Sequence, residues 1–238
     1  MTAAADRTET GIAEREDAQT FDRIMRERRS IRGFLPDEVP APLLRRVFDT
    51  AQQAPSNCNV QPWVVHVVSG AAALRIRTAL HDHAASGAPV SPDFPLTGGY
   101  PGDYRTRQID AAKALFAATG VPRDDKDART RSFLRNFRFF DAPHAAFIFL
   151  PEWAGMREAA DAGMYAQSLM LALTANGLAS CAQGALSHHA PIVHRELGVG
   201  PEMRILFGLA FGWPDESHPA NAARTIRASV DEAITFHA

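Results

Sequence analysis

The sequence predicts a layered α+β (or α/β layered) fold in one domain, and three observations carry that expectation. Apolar, β-branched stretches such as "WVVHVVS", "PHAAFIFLP" and "MRILFGLAFGWP" alternate with helix-like segments, the pattern of a sheet covered by helices. One long segment, "GMREAADAGMYAQSLMLALTANG", is rich in small and apolar residues on most of its faces, so it reads as a central helix packed on several sides. The 238 residues are 46% hydrophobic and 22% charged, an ordinary globular composition, and no linker-like stretch divides them. Residues 1–19 read as a flexible tail and 20–238 as the domain.

The elements follow in order. In "FDRIMRERRS", Phe21, Ile24, Met25 and Arg28 recur at helical spacing, with Thr20 or Asp17 as the expected cap. In "PAPLLRRVFDTAQQA", prolines open a second helix whose face is Leu43, Leu44, Val47, Phe48 and Ala51, and Pro55 stops it. The loop "PSNCNVQP" leads into the strand "WVVHVVS" and then the alanine-rich helix "AALRIRTALHDHAA". Residues 87–103 are rich in Gly and Pro and too long for an idle connector, which marks them as the border of a site. Helices are expected over residues 104–119 and 127–140, then the buried strand "PHAAFIFLP" and the long helix closed by Gly177. "LASCAQG" reads as a short strand and loop, "APIVHREL" as a brief helix and "MRILFGLAFGWP" as a buried strand. "NAARTIRASVDEAITF" ends the chain with paired arginines and an extended piece.

Composition narrows the function classes. A formal net charge of -2 argues against a general nucleic-acid binder, which needs a basic face. The acidic start lacks the apolar core of a signal peptide or anchor, and the most apolar later run is far shorter than the ~20 residues of a spanning helix. Cys58 and Cys181 have neither disulfide-scaffold number nor Cys-x-x-Cys spacing, so a reduced cytoplasmic protein is expected. No phosphate-binding glycine motif, P-loop or nucleophile elbow occurs. The histidines of "HDH" and "HHAPIVH" lack a closed ligand set and read as surface residues, with no metal expected. Cys58 sits between two neutral amides and reads as a small loop residue rather than a nucleophile.

What remains is positive charge in particular places. "RRS" puts Arg28 and Arg29 at the end of a helix beside a hydroxyl, the donor set that grips a phosphate monoester. Taken alone it is equally read as the preference of a helix C-terminus for cations. "PSNCNVQPW" supplies short amides and a hydroxyl between prolines, suited to a polar planar ligand or simply to stopping a helix. "RTIR" adds Arg224 and Arg227 after a buried strand.

In combination and order, "RRSIRGF", "AQQAPSNCNVQPWVVHVV", "GLASCAQGAL" and "ILFGLAFGWPDESHPAN" followed by "RTIR" resemble the nitroreductase family of FMN-dependent NAD(P)H oxidoreductases. The resemblance implies a mixed central sheet flanked by helices, with the long helix at a homodimer interface; from the residues alone, packing inside one chain is the alternative. It implies that Arg28, Arg29 and Ser30 contact the FMN phosphate and ribityl chain, that Arg32 lies near the pyrimidine edge, and that Arg227 with Arg224 completes the phosphate clamp. Pro55, Ser56, Asn57 and Asn59 match the loop that reaches the flavin from the second subunit. Cys181, Gln183 and Gly184 match the segment whose backbone lies beside flavin N5. The implied activity is a ping-pong cycle in which NAD(P)H, with NADPH favoured over NADH, reduces the flavin, and a nitroaromatic or quinone reoxidises it. No protein acid or base is required, so no catalytic side chain is expected. The family's usual residues in the middle of the chain have no clear counterpart; the insertion "GGYPGDYRTRQ" stands there, making Tyr100, Tyr104, Arg105 and Arg107 the candidate substrate rim. Reductive dehalogenation or flavin breakdown on the same scaffold, and a non-catalytic flavin-binding protein, are the alternatives.

Overall fold

The computed structural model describes residues 15–96 and 98–237. Four strands, β1 (Val64–Ser69), β2 (His144–Pro151), β3 (Ala179–Gln183) and β4 (Met203–Gly212), form one sheet in the order β1-β2-β4-β3. Every pairing between these strands is antiparallel. Among the described residues, parallel pairing is confined to two isolated bridges, Ser30 with Ser180 and Ser91 with His189. Around the sheet lie α1 (Glu16–Glu27), α2 (Ala41–Ala51), α3 (Gly70–Ala85), α4 (Gly102–Thr119), α5 (Lys126–Leu134), α6 (Met156–Ala175), α7 (Ala190–Leu197) and the short α8 (Val230–Ala233).

The central strand β2 divides the core, because successive side chains of a strand point to opposite faces. Phe147 and Phe149 turn to one side, where they join Ile76 and Leu80 of α3, Val193 of α7 and three phenylalanines before β2. Ala146, Ile148 and Leu150 turn to the other, where they meet Val47 of α2, Trp63, and Tyr165, Leu169 and Leu173 of α6. "PHAAFIFLP" thus is the doubly buried strand its composition predicts. "WVVHVVS" forms the edge strand β1 and leaves Val64 and Val67 exposed.

The structure moves several boundaries. Helix α1 begins at Glu16, inside the expected tail; residues 1–14 lie outside the described residues. Its N-cap is Arg15, without a side-chain cap bond, and neither Thr20 nor Asp17 caps it; Glu16 and Asp17 instead complement the positive end of the helix from its first turn. The helix expected over residues 127–140 stops at Leu134 and gives way to a 3₁₀ turn, Arg135–Asp141, in which Phe139 (φ 59°), Phe140 (φ 52°) and Asp141 (φ 65°) are left-handed. Left-handed phenylalanines are strained by ~1–2 kcal/mol each. Burial of Phe137, Phe139 and Phe140, worth ~1.5–3 kcal/mol per ring, offsets that strain and overrides the local helical preference. The C-terminal extended piece contains one helical turn, α8, closed by a Ser229–Glu232 capping box.

Candidate functional site

The segment from Arg28 to Phe34 leaves α1 and is lashed to the sheet. The backbone N–H of Ile31 donates to the Ser180 carbonyl at 3.0 Å, and Leu35 donates to the Trp213 carbonyl at 2.9 Å. "RRS" therefore lies along β3, beside Cys181, and "RGF" lies along the end of β4. Gly33 is required there, since a Cβ at this position would run into the His218 side chain.

Asn221, in the 3₁₀ turn Pro219–Ala222, ties this segment to the C-terminal one. Its buried side chain accepts from the Arg32 N–H at 2.7 Å and donates to the carbonyls of Gly33 and Asp215, both at 2.8 Å. Its own carbonyl accepts from the Arg29 guanidinium at 2.8 Å and from the Arg224 guanidinium at 2.8 Å. The sequence contains "HPAN" in plain view, yet only its spatial position shows that Asn221 organises both arginine pairs.

The result is a cluster of like charges. Burial, and then the charge of Arg227, lowers the affinity of the Arg28 guanidinium for its proton, while the Cys181 sulfur acts weakly the other way. Burial and then Arg224 do the same to Arg29, opposed by Glu216. No ion pair among the described residues includes Arg28, Arg29, Arg32, Arg224 or Arg227. Cations held together without carboxylate partners make an anion site, because a phosphate would supply the missing counter-charge and accept several donors at once. Ser30 stands exposed beside them, its side chain hydrogen-bonded to Cys181.

Beneath the arginines Cys181 is buried, and burial pushes its thiol up against the opposing influence of Arg32, a Ser30 hydrogen bond and Arg28; it is an inert neutral thiol. The next positions differ in role. Gln183 is buried, its amide donating to the Asn136 carbonyl at 2.9 Å and to Asn136 Oδ1 at 3.2 Å. Gly184 is exposed, and a Cβ added to it would meet nothing within 4 Å, so its backbone faces open space at the end of β3. Asn136, together with Arg135, whose guanidinium donates to the Arg32 carbonyl at 2.9 Å, belongs to the turn the sequence reading took for helix. Both were missed for that reason.

The loop "PSNCNVQP" is not joined to the arginines by any hydrogen bond or ion pair among the described residues. Pro55, Asn57, Cys58 and Asn59 are exposed and Ser56 half-buried. Cys58 (φ 48°), Asn59 (φ 58°) and Gln61 (φ 49°) are left-handed, and the turn is stapled by Gln61 N–H donating to Ser56 Oγ at 2.9 Å and by the Gln61 amide donating to Asn59. Tyr100, Tyr104, Arg105 and Arg107 are all exposed around the start of α4, a helix without a buried residue. Arg107 stacks over the Tyr104 ring at 5.7 Å, and Arg105 donates to Gln108. One chain thus assembles the arginine cluster but leaves the amide loop and the rim as separate exposed features. Among the described residues no group of three or more His, Cys, Asp or Glu side chains could hold a metal ion, and no helix is long and apolar enough to cross a membrane.

An FMN-sized ligand fits this arrangement: a guanidinium cluster without ion-pair partners among the described residues for a phosphate, the exposed Ser30, and the exposed Gly184 at the end of β3. Comparisons with known proteins agree. Residues 25–213 match the model of the nitroreductase family. The chain is 43% identical over 220 residues to nitroreductase NfnB of Mycolicibacterium smegmatis, covering 92% of this chain and 93% of that protein. It is 34% identical over 223 residues to the nitrobenzene nitroreductase of Ectopseudomonas oleovorans, covering 91% of this chain and 96% of that protein. The crystal structure of the FMN-dependent nitroreductase NfnB from Mycobacterium smegmatis in complex with NADPH superposes with a TM-score of 0.90 at 42% identity, covering 94% of this chain and 100% of that one. With a family model matched over residues 25–213 and a relative 43% identical over 92% of this chain, the chain belongs to the nitroreductase family.

Proposed function

We propose that this protein is an FMN-dependent oxidoreductase that transfers reducing equivalents from NAD(P)H, with NADPH the preferred donor, to nitroaromatics or quinones. The observation that carries the reading is a set of guanidiniums with no ion-pair partner among the described residues: Arg29 and Arg224 share the Asn221 carbonyl, and Arg28 lies close enough to Arg227 to feel its charge. The chemistry supplied by bound FMN is two-electron transfer in two half-reactions.

The chain's own residues bind and orient. Arg28, Arg29, Arg224 and Arg227 neutralise the phosphate, Ser30 donates to the chain that joins phosphate to ring, and Arg32 serves the pyrimidine edge. The backbone N–H of the exposed Gly184, which follows the buried Gln183, would hydrogen-bond bound FMN and favour its reduced, negatively charged form. Protons come from water, and no side chain is assigned the role of acid or base. Tyr100, Tyr104, Arg105 and Arg107 border the entry for donor and acceptor; the relatives act on nitrobenzene and bind NADPH, as their names state.

The working unit is a cytoplasmic homodimer. The exposed apolar side chains of Phe21, Met25 and Met164, with Ile226 and Phe236 near the C-terminus, support association. The amide loop of Pro55, Ser56, Asn57 and Asn59 then reaches the flavin of the second copy, which explains why one chain leaves it apart from its own arginines.

An anaerobic visible spectrum tests the whole reading. The expected protein is yellow, bleaches with NADPH and recovers its colour on addition of nitrobenzene. A chain that takes up no FMN would overturn the reading.

A further inference from the structure

Asp161 lies in the second turn of α6, is 4% exposed, and forms no ion pair among the described residues. A carboxyl group withdrawn from water without a cation is costly unless its oxygens are hydrogen-bonded. Its hydrogen-bond partner among the described residues is a single backbone group: the N–H of Asn57 donates to Oδ1 and Oδ2, each at 3.2 Å. That N–H opens the strained turn whose left-handed residues, Cys58, Asn59 and Gln61, have their hydrogen bonds among the described residues within the turn itself, to Ser56, Asn57 and one another. Left-handed conformations of non-glycine residues persist only where the surroundings hold them.

The same helix also holds the arginine segment of its own chain, which in the proposed homodimer serves the other of the two flavin sites. Gln167 of α6 donates to the Met25 sulfur of α1 at 3.8 Å, and α1 runs directly into Arg28 and Arg29. Asp161 and Gln167 stand six residues apart, about 9 Å along the helix axis. Helix α6 is therefore the common frame of the amide loop and the arginine segment, and Asp161 is the bolt at the loop end.

We propose that Asp161 is a positioning residue of the flavin site: its carboxylate anchors the Ser56–Gln61 turn, so that the amides of Asn57 and Asn59 are presented in a fixed geometry to the cofactor. The assignment rests on the FMN reading above and adds to it a residue that touches neither cofactor nor substrate.

The test compares Asp161→Ala with Asp161→Asn in the full chain, reading amide hydrogen exchange over residues 56–61 and the Kd for FMN from flavin fluorescence. Loss of one charge-assisted hydrogen bond corresponds to about a tenfold effect. Asp161→Ala is expected to speed exchange in the turn about tenfold and to raise the FMN Kd by a similar factor, with exchange in β2 and β4 unchanged. Asp161→Asn keeps an oxygen acceptor for Asn57 and is expected to restore both readouts. A folded Asp161→Ala protein with unaltered exchange and FMN affinity overturns the proposal, as does Asp161→Asn behaving like Asp161→Ala. Should Asp161→Ala not fold, Asp161→Ser, whose hydroxyl is too short to span to Asn57, takes its place with the same expectations. Failure of the wild-type chain to bind FMN sinks the flavin reading instead, and the exchange measurement then decides the anchoring by itself.

Discussion

Arg29 and Arg224, from opposite ends of the chain, donate to the same acceptor, the backbone carbonyl of Asn221, each at 2.8 Å. Two guanidiniums sharing one neutral acceptor repel each other, and the Asn221 side chain holds the turn that forces them together. Asn221→Ala removes three bonds of a buried amide and is expected to destabilise the fold by ~2–4 kcal/mol. Urea unfolding measures the loss, and a midpoint equal to wild type would contradict the role given to Asn221.

The cluster of like charges also separates binding from stability. Arg28→Ala combined with Arg227→Ala is expected to weaken FMN binding by about 100-fold or more, since each lost charge-assisted bond is worth ~1.5–3 kcal/mol. The same double change relieves repulsion and desolvation at Arg28, so the FMN-free protein should melt no lower than wild type. Flavin retained through gel filtration by the double variant would show that the phosphate lies elsewhere.

Gly33 and His218 form a steric pair. A methyl group at Gly33 overlaps the imidazole, so Gly33→Ala should cost ~1–3 kcal/mol through overpacking. Adding His218→Ala opens the space and should recover most of that loss in thermal melts; a double variant as unstable as Gly33→Ala would place the strain in the backbone instead.

His144 makes the fold acid-sensitive. Its Nε2 accepts from the Val39 N–H at 2.9 Å, so its ring is neutral, with Nδ1 facing Ser69 Oγ at 2.5 Å. Burial lowers its pKa below the usual 6.5, against a smaller opposing influence from Glu38. Burial likewise lowers His66, His188, His189 and His218. Below pH 6.5 the unfolded chain binds protons that the folded rings refuse; stability is therefore complete above that pH and falls as pH is lowered through it. Urea midpoints at pH 7 and pH 5 should show the decline, and His144→Gln, which keeps an acceptor for Val39 but cannot be charged, should lessen it by the share His144 contributes. Identical slopes for the variant and the wild type would remove His144 from the account.

Local patterns were read well where one periodicity dominated. "PHAAFIFLP" is apolar on both faces and became the central strand; "MRILFGLAFGWP" became its neighbour. The segment 127–140 misled because helix-forming residues run on past Leu134, while the energy that decides its backbone comes from burying Phe137, Phe139 and Phe140 against a sheet formed later in the chain. In the site, the arginines stood out only through the order of the stretches that carry the family resemblance, since guanidiniums at a helix end are equally an ordinary C-terminal charge preference. Asn136, Asp161 and Asn221 were not, since an amide or carboxyl at those positions has no distinguishing neighbour in sequence.

By itself the sequence determined the layered α+β class, the places of the strands and long helices, and the residue types able to hold a phosphate, because these depend on composition and on spacing within one element. Only the tertiary structure decided that Arg29 and Arg224 share a carbonyl, that Asp161 carries the amide loop, and that the turn before β2 gives up its helix. Those features arise between elements remote in the chain, where hydrogen bonding and burial of several side chains outweigh any local preference.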